Sequence, residues 1–97
     1  MKKVLKSAQS GTLESNDAIV TIVPGESGSG VSIDIESSVL IQYGEAIRKV
    51  IEETLLGQSV SDVYVKVMDR GALDCTIRAR VLAALARADV ELGEAFR

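Results

Sequence analysis

Ser15, followed by Asn16 and Asp17, is the one hydroxyl in this chain whose neighbours suggest presentation rather than packing. Asn and Asp favour tight turns because their side chains bond the nearby backbone. Thr12 and Leu13 precede this triplet and the apolar run Ala18–Val23 follows it, so a turn between two short strands is expected. Such a turn would hold the Ser15 oxygen out in solvent on a rigid base, as a modifying enzyme requires. Glu14 and Asp17 flank it and read as solvated turn charges. No base adjoins the hydroxyl, so Ser15 is not a self-activated nucleophile.

The chain contains no histidine. That removes the usual base of Ser-His-Asp and Cys-His sites and the commonest nitrogen ligand for zinc. Cys75 is the single cysteine, with no imidazole to activate it as a nucleophile. It reads as a core residue or part of a helix start, and it suits a reducing compartment. Gly25-Glu26-Ser27-Gly28-Ser29-Gly30 lacks the spacing and the following Lys-Ser/Thr of a phosphate loop, and reads as a flexible hairpin connection.

Ninety-seven residues make one small domain with little room for an enclosed substrate cavity. The chain is 46% hydrophobic and 26% charged, with a net charge of −3, an ordinary globular balance that lacks a basic nucleic-acid footprint. Lys2, Lys3 and Lys6 form the only basic cluster, in residues 1–6, which with about 91–97 are expected to be mobile tails. No apolar run approaches the ~20 residues needed to cross a bilayer. A cytoplasmic location without membrane or nucleic-acid contact is expected.

Positioning Ser15 falls to elements legible as periodicities. Ala18–Val23 is rich in β-branched residues, and Val31–Ile35 alternates apolar and polar positions. An antiparallel hairpin across the glycine-rich loop is expected. Ser37 or Ser38 is placed to cap a helix whose stripe is Leu40, Tyr43, Ile47, Val50, Ile51 and Thr54. Glu45 with Lys49 and Arg48 with Glu52 are its i,i+4 pairs, and Gly57 is a stop signal. Val63–Val67 is a further strand, turned by Asp69-Arg70-Gly71. From Leu73 to Val81 alternation fits a strand, yet Leu73, Ile77, Val81, Leu85, Ala88 and Leu92 also form a helical stripe that runs further. A helix from about Leu73 to about Val90 is the expected outcome, begun by Asp74 near its positive end. The fold class is α+β, a small two-layer sandwich in β-β-α-β-α order. Its mostly antiparallel sheet carries two helices on one face. The strand–helix–strand step makes its two strands parallel if they share a sheet.

Two runs, Gly11-Thr12-Leu13-Glu14-Ser15-Asn16-Asp17 and Gly71-Ala72-Leu73-Asp74-Cys75-Thr76-Ile77-Arg78-Ala79-Arg80, together resemble the acyl carrier (gamma) subunit of citrate lyase. The resemblance spans about Gly11 to Arg87. It includes Ser37-Ser38-Val39 and Tyr43-Gly44-Glu45-Ala46-Ile47-Arg48, where the family often has Phe-Gly-Asp-Ala-Ile-Arg. Asn16, at a variable position, and a longer acidic tail after Ala88 are its departures. By this resemblance residues 1–97 form a single, non-catalytic acyl carrier domain. Ser15 then takes a phosphodiester link to a 2'-(5''-phosphoribosyl)-3'-dephospho-CoA group, attached by a separate holo-carrier synthase. The arm's thiol bears acetyl and citryl thioesters while the alpha subunit exchanges acyl groups and the beta subunit cleaves the citryl form to oxaloacetate. Tethering keeps the thioester at high effective concentration near both sites. Arg78, Arg80 and Arg87 are then candidates for a docking surface, or else solubilising charges, and Glu14 and Asp17 are candidates to help dock the transferase or its metal. The Asp-Ser-Leu of all-helical fatty-acid carriers is absent. Carriers of citramalate lyase or malonate decarboxylase, and an unmodified protein-interaction module, are the alternatives.

Overall fold

Two strands with fully buried valine and isoleucine rows set the centre of the molecule. A computed structural model describes residues 4–37 and 40–90. In order, its elements are β1 (Ala8–Gly11), β2 (Ala18–Pro24), β3 (Val31–Ser37), α1 (Leu40–Gly57), β4 (Val63–Asp69) and α2 (Asp74–Arg87). The α+β sandwich is as expected, with one strand more at the front. In the four-stranded sheet the order is β1-β2-β4-β3. The β1–β2 and β2–β4 pairs are antiparallel, and β3–β4 is parallel.

The expected β2–β3 hairpin does not form, because β4 lies between the two strands. Burial explains the choice. Val63, Val65 and Val67 of β4 are at most 1% exposed and match Ala18, Val20 and Ile22 of β2, all at 0%. A strand with such a row belongs in the middle. β3 offers only the half-buried Ile33 and Ile35 to that layer, with Ser32, Asp34 and Glu36 exposed, so it suits an edge. The glycine-rich loop is therefore no hairpin turn. It carries the chain across the end of β4, where the Asp62 carboxylate accepts N–H bonds from Gly28 (3.1 Å) and Gly30 (3.0 Å).

Both helices cover one face. α2 packs on β1 and β2, while α1 packs on β3 and α2. Ile47, Val50, Ile51 and Leu55 of α1 meet Ile77, Val81, Ala84 and Leu85 of α2 above the valine rows. The Leu40 and Tyr43 side chains of the α1 stripe, and Ser38 of the two expected caps, lie outside the described residues; the Ser37 hydroxyl donates to Asp69. Lys49 pairs with Glu53 at 3.9 Å rather than with Glu45, and Arg48 donates to the Ile33 carbonyl rather than pairing with Glu52. In the 73–90 segment the helical reading wins over the strand reading. Ile77, Val81 and Leu85 recur every four residues and are all at 0% exposure, whereas Cys75 and Ala79 face solvent.

Neither helix closes on glycine. Ser59 (φ 56°) follows α1, and Asp89 (φ 65°) follows α2. The N–H groups of Val60 and Val90 reach back to the Leu55 and Leu85 carbonyls, both at 3.0 Å. Each end is a Schellman closure whose following valine is buried. Gly57, expected to stop α1, lies within its last turn. At the other end of the chain, Val4 fell within an expected mobile tail but is 6% exposed and packs in the core. Lys6 forms an ion pair with Asp89 at 3.2 Å. Residues 1–3 and 91–97 lie outside the described residues.

Candidate functional site

The β1–β2 connection is a built loop, held by Gly11, Thr12, Asn16 and Asp17. Gly11 ends β1 at φ +107°, and a Cβ there would lie 1.8 Å from the Ala18 carbonyl oxygen, so no other residue fits. The Thr12 hydroxyl accepts the Glu14 N–H (3.2 Å) and donates to Asp17 Oδ2 (2.6 Å). A turn then closes when the Asp17 N–H meets the Glu14 carbonyl at 3.1 Å. Ser15 and Asn16 are its corner residues. Asn16 takes φ 64°, the positive value that type II turns need at their third position and that asparagine tolerates.

Beyond the turn, the β2–β4 ladder continues. Asn16 N–H donates to the Arg70 carbonyl (2.8 Å), and Arg70 N–H to the Asp17 carbonyl (2.9 Å). Asp17 is the clamp of the whole loop. Its Oδ1 accepts Ala18 N–H (2.7 Å) and Arg80 Nε (2.9 Å), and its Oδ2 accepts Arg80 Nη2 (2.7 Å) beside the Thr12 hydroxyl. Two parallel bonds from one guanidinium fix geometry as well as charge. The Arg80 bonds, followed by that of Thr12, hold the Asp17 carboxyl far below the usual carboxylate range, and the bonds to Asp17 raise Arg80 above its ordinary value.

Ser15 sits exposed at the corner of this clamped turn, and its hydroxyl makes no hydrogen bond among the described residues. An oxygen so placed is free to accept a covalent group, and the turn beneath it is held by interactions that do not involve it. Asp17 is not a solvated turn charge, since both its oxygens are bonded within the chain. Glu14 remains exposed. No cluster of three His, Cys, Asp or Glu side chains that could hold a metal occurs among the described residues.

The three arginines considered for docking divide. Arg80 is committed to Asp17, and Arg87 Nη1 donates to the Gln9 carbonyl (2.8 Å), bracing β1 against α2. Arg78 alone of the three stands exposed with no partner among the described residues. Cys75 is exposed in the first turn of α2, so its core alternative fails and the helix-start alternative holds.

Asp69, expected only as part of the turn after β4, is a buried acceptor. Its carboxylate is 2% exposed and accepts the Ser37 hydroxyl (2.8 Å) and the N–H groups of Gly71 (3.1 Å) and Ala72 (2.9 Å). It shapes the Gly71 bend, where a Cβ would stand 3.6 Å from Asn16 Oδ1. An Asp two residues before a glycine was the available signal, since such carboxylates bond the backbone ahead of them. Through the Arg80–Asp17 bonds and the approach of Gly71 to Asn16, the two runs that share the family resemblance become one physical unit around Ser15.

Comparison with known proteins bears on the chain's family and fold. Residues 5–88 match the family model described as malonate decarboxylase delta subunit (MdcD). The citrate lyase acyl carrier protein of Streptococcus uberis is 49% identical over 85 residues, which cover 88% of this chain and 82% of that protein. That of Lacticaseibacillus casei is 51% identical, covering 84% and 78%, and that of Halothermothrix orenii is 41% identical, covering 89% of each. A solved structure, a Pseudomonas malonate decarboxylase hetero-tetramer in complex with malonate, contains a chain of the same fold. Its TM-score is 0.77 at 22% identity, with 90% of this chain and 88% of that one covered. The chain belongs to the family that the malonate decarboxylase delta subunit model describes and, within it, to the citrate lyase acyl carrier proteins.

Proposed function

We propose that this chain is the non-catalytic acyl carrier subunit of a citrate lyase complex, and that its prosthetic group is bound through the Ser15 oxygen. The observation that carries the proposal is the exposed, unpartnered hydroxyl at the corner of a turn clamped from below by Thr12, Asp17 and Arg80. The group we assign is 2'-(5''-phosphoribosyl)-3'-dephospho-CoA, whose terminal thiol supplies thioester chemistry when bound.

Attachment needs a partner enzyme. The Ser15 oxygen attacks a phosphorus of a triphosphoribosyl donor, a new P–O bond forms, and the bond to the departing diphosphate breaks. The hydroxyl proton leaves to a base of the holo-carrier synthase, because no side chain here is hydrogen-bonded to that oxygen. Positioning and charge neutralisation, the main demands of phosphoryl transfer, fall to the synthase. This chain's part is to hold the nucleophile outward on a base that does not yield.

The acyl transferase (alpha) and citryl lyase (beta) subunits are the partners we assign. Exposed Arg78 is a candidate contact to them. No described helix is long and apolar enough to cross a membrane. We assign the cytoplasm, where Cys75 stays a thiol. A malonate decarboxylase carrier is the second reading, favoured by the family model and the hetero-tetramer; relatives at 41–51% identity favour citrate lyase. Intact mass and peptide mapping of the chain isolated from its native host test the assignment. An arm on Ser15 whose mass matches the assigned group supports it, and an unmodified Ser15 in active complex refutes it.

A further inference from the structure

An open groove of about 640 Å³ runs between α1 and the start of α2. Ala46, Ile47, Ala72 and Leu73 give it mainly apolar walls, with Gly71, Cys75 and the exposed Asp74 also lining it. Leu73 is 68% exposed there, a large apolar side chain that packs on little. One side of the groove adjoins the Ser15 turn. Gly71 faces Asn16, and the Asn16 N–H is bonded to the Arg70 carbonyl at 2.8 Å.

The groove also offers hydrogen-bond donors. The residue capping α2, Leu73, supplies no side-chain bond, and the first helical bond runs from Ile77 N–H to the Leu73 carbonyl. The N–H groups of Asp74, Cys75 and Thr76 therefore lack an intrahelical acceptor. Apolar walls beside free amide donors match one kind of occupant: a chain that alternates short methylene segments with amide carbonyls and ends in a small thioester.

We infer that this groove is the resting place of the arm borne by Ser15, holding its amide-and-methylene portion between visits to the partner sites. The inference rests on the proposed attachment at Ser15. Tethering makes so shallow a groove sufficient, since a short flexible link gives an effective concentration of roughly millimolar, so even millimolar intrinsic affinity gives substantial occupancy. Docking there leaves the turn and its Asp17–Arg80 clamp undisturbed, and it keeps the thioester close to the protein surface.

Cys75, the only cysteine, reports on the groove directly. Loaded and unloaded carrier are prepared, their states set by intact mass, with the arm thiol acetylated. Both are treated with limiting iodoacetamide, and alkylation of Cys75 is followed by peptide mapping. The expected result is a two- to fivefold slower reaction in the loaded form. In Leu73→Ser, which alters an exposed side chain, the two rates should converge. Equal rates in the unaltered protein overturn the inference. So does slowing that Leu73→Ser leaves unchanged, which would mean unspecific shielding by the arm. Protection that appears only when partner subunits are added gives the groove to a partner and also overturns it. Absence of added mass on Ser15 refutes the attachment itself, and the groove inference falls with it.

Discussion

Replacing Arg80 by Met keeps most of the side chain's length on α2 while removing both bonds to Asp17. In water-shielded settings each hydrogen bond to a charged group contributes about 1.5–3 kcal/mol, whereas fully exposed ion pairs give about 0.2–1 kcal/mol. This pair lies between those limits, with side-chain exposures of 35% for Arg80 and 14% for Asp17. Asp17 would keep its bonds to Thr12 and to the Ala18 N–H. A loss of about 1–2 kcal/mol is therefore expected, and in a domain this small each kcal/mol lowers Tm by roughly 4–8 °C. Urea denaturation of the parent, Arg80→Met, Asp17→Asn and the double variant yields the coupling energy. The unfolded chain holds the Asp17 proton more tightly than the folded one, so the contribution is complete above the ordinary carboxylate range. It is lost as pH falls from about 4 toward the depressed folded value. Strictly additive single effects at pH 7, or a coupling that persists undiminished to pH 2, would refute the clamp as described.

Gly11→Ala should cost more than about 2 kcal/mol or prevent folding, because the new Cβ meets the Ala18 carbonyl at a positive φ; a thermal melt settles it. Asp69→Ala removes the acceptor of three hydrogen bonds in a buried position and should cost about 2–3 kcal/mol by urea titration. The same variant should speed amide exchange at Gly71 and Ala72. Cys75→Ser replaces an exposed side chain and should change stability by less than about 0.5 kcal/mol, with loading at Ser15 unaffected.

Local pattern reached the helices because their buried residues recur within one turn of each other. Ile77, Val81 and Leu85 fall on a single face whatever the sheet beneath them does. Strand order was less legible, since alternation in Val31–Ile35 is equally compatible with a hairpin partner or an edge. What decides is how strongly each strand is buried, which depends on helices far along the chain. The Ser15 turn was visible in its Asn-Asp composition, but its clamp was not. Asp17 and Arg80 are 63 positions apart, and a charge beside a turn reads as solvated unless its partner is known. The helix ends escaped for a related reason. Ser59 and Asp89 adopt left-handed geometry normally signalled by glycine, and the buried valines that follow them favour that closure.

Presentation of the Ser15 oxygen for covalent attachment is the claim on which the functional account turns. Its most direct test is the mass of the chain purified from its native host within the active complex, mapped to residue level and compared with Ser15→Ala expressed in the same host. The account predicts a single phosphodiester-linked arm on Ser15, and a variant that folds and assembles normally yet carries no arm and supports no turnover. An arm mapped to another residue, or full activity in the Ser15→Ala complex, would contradict it.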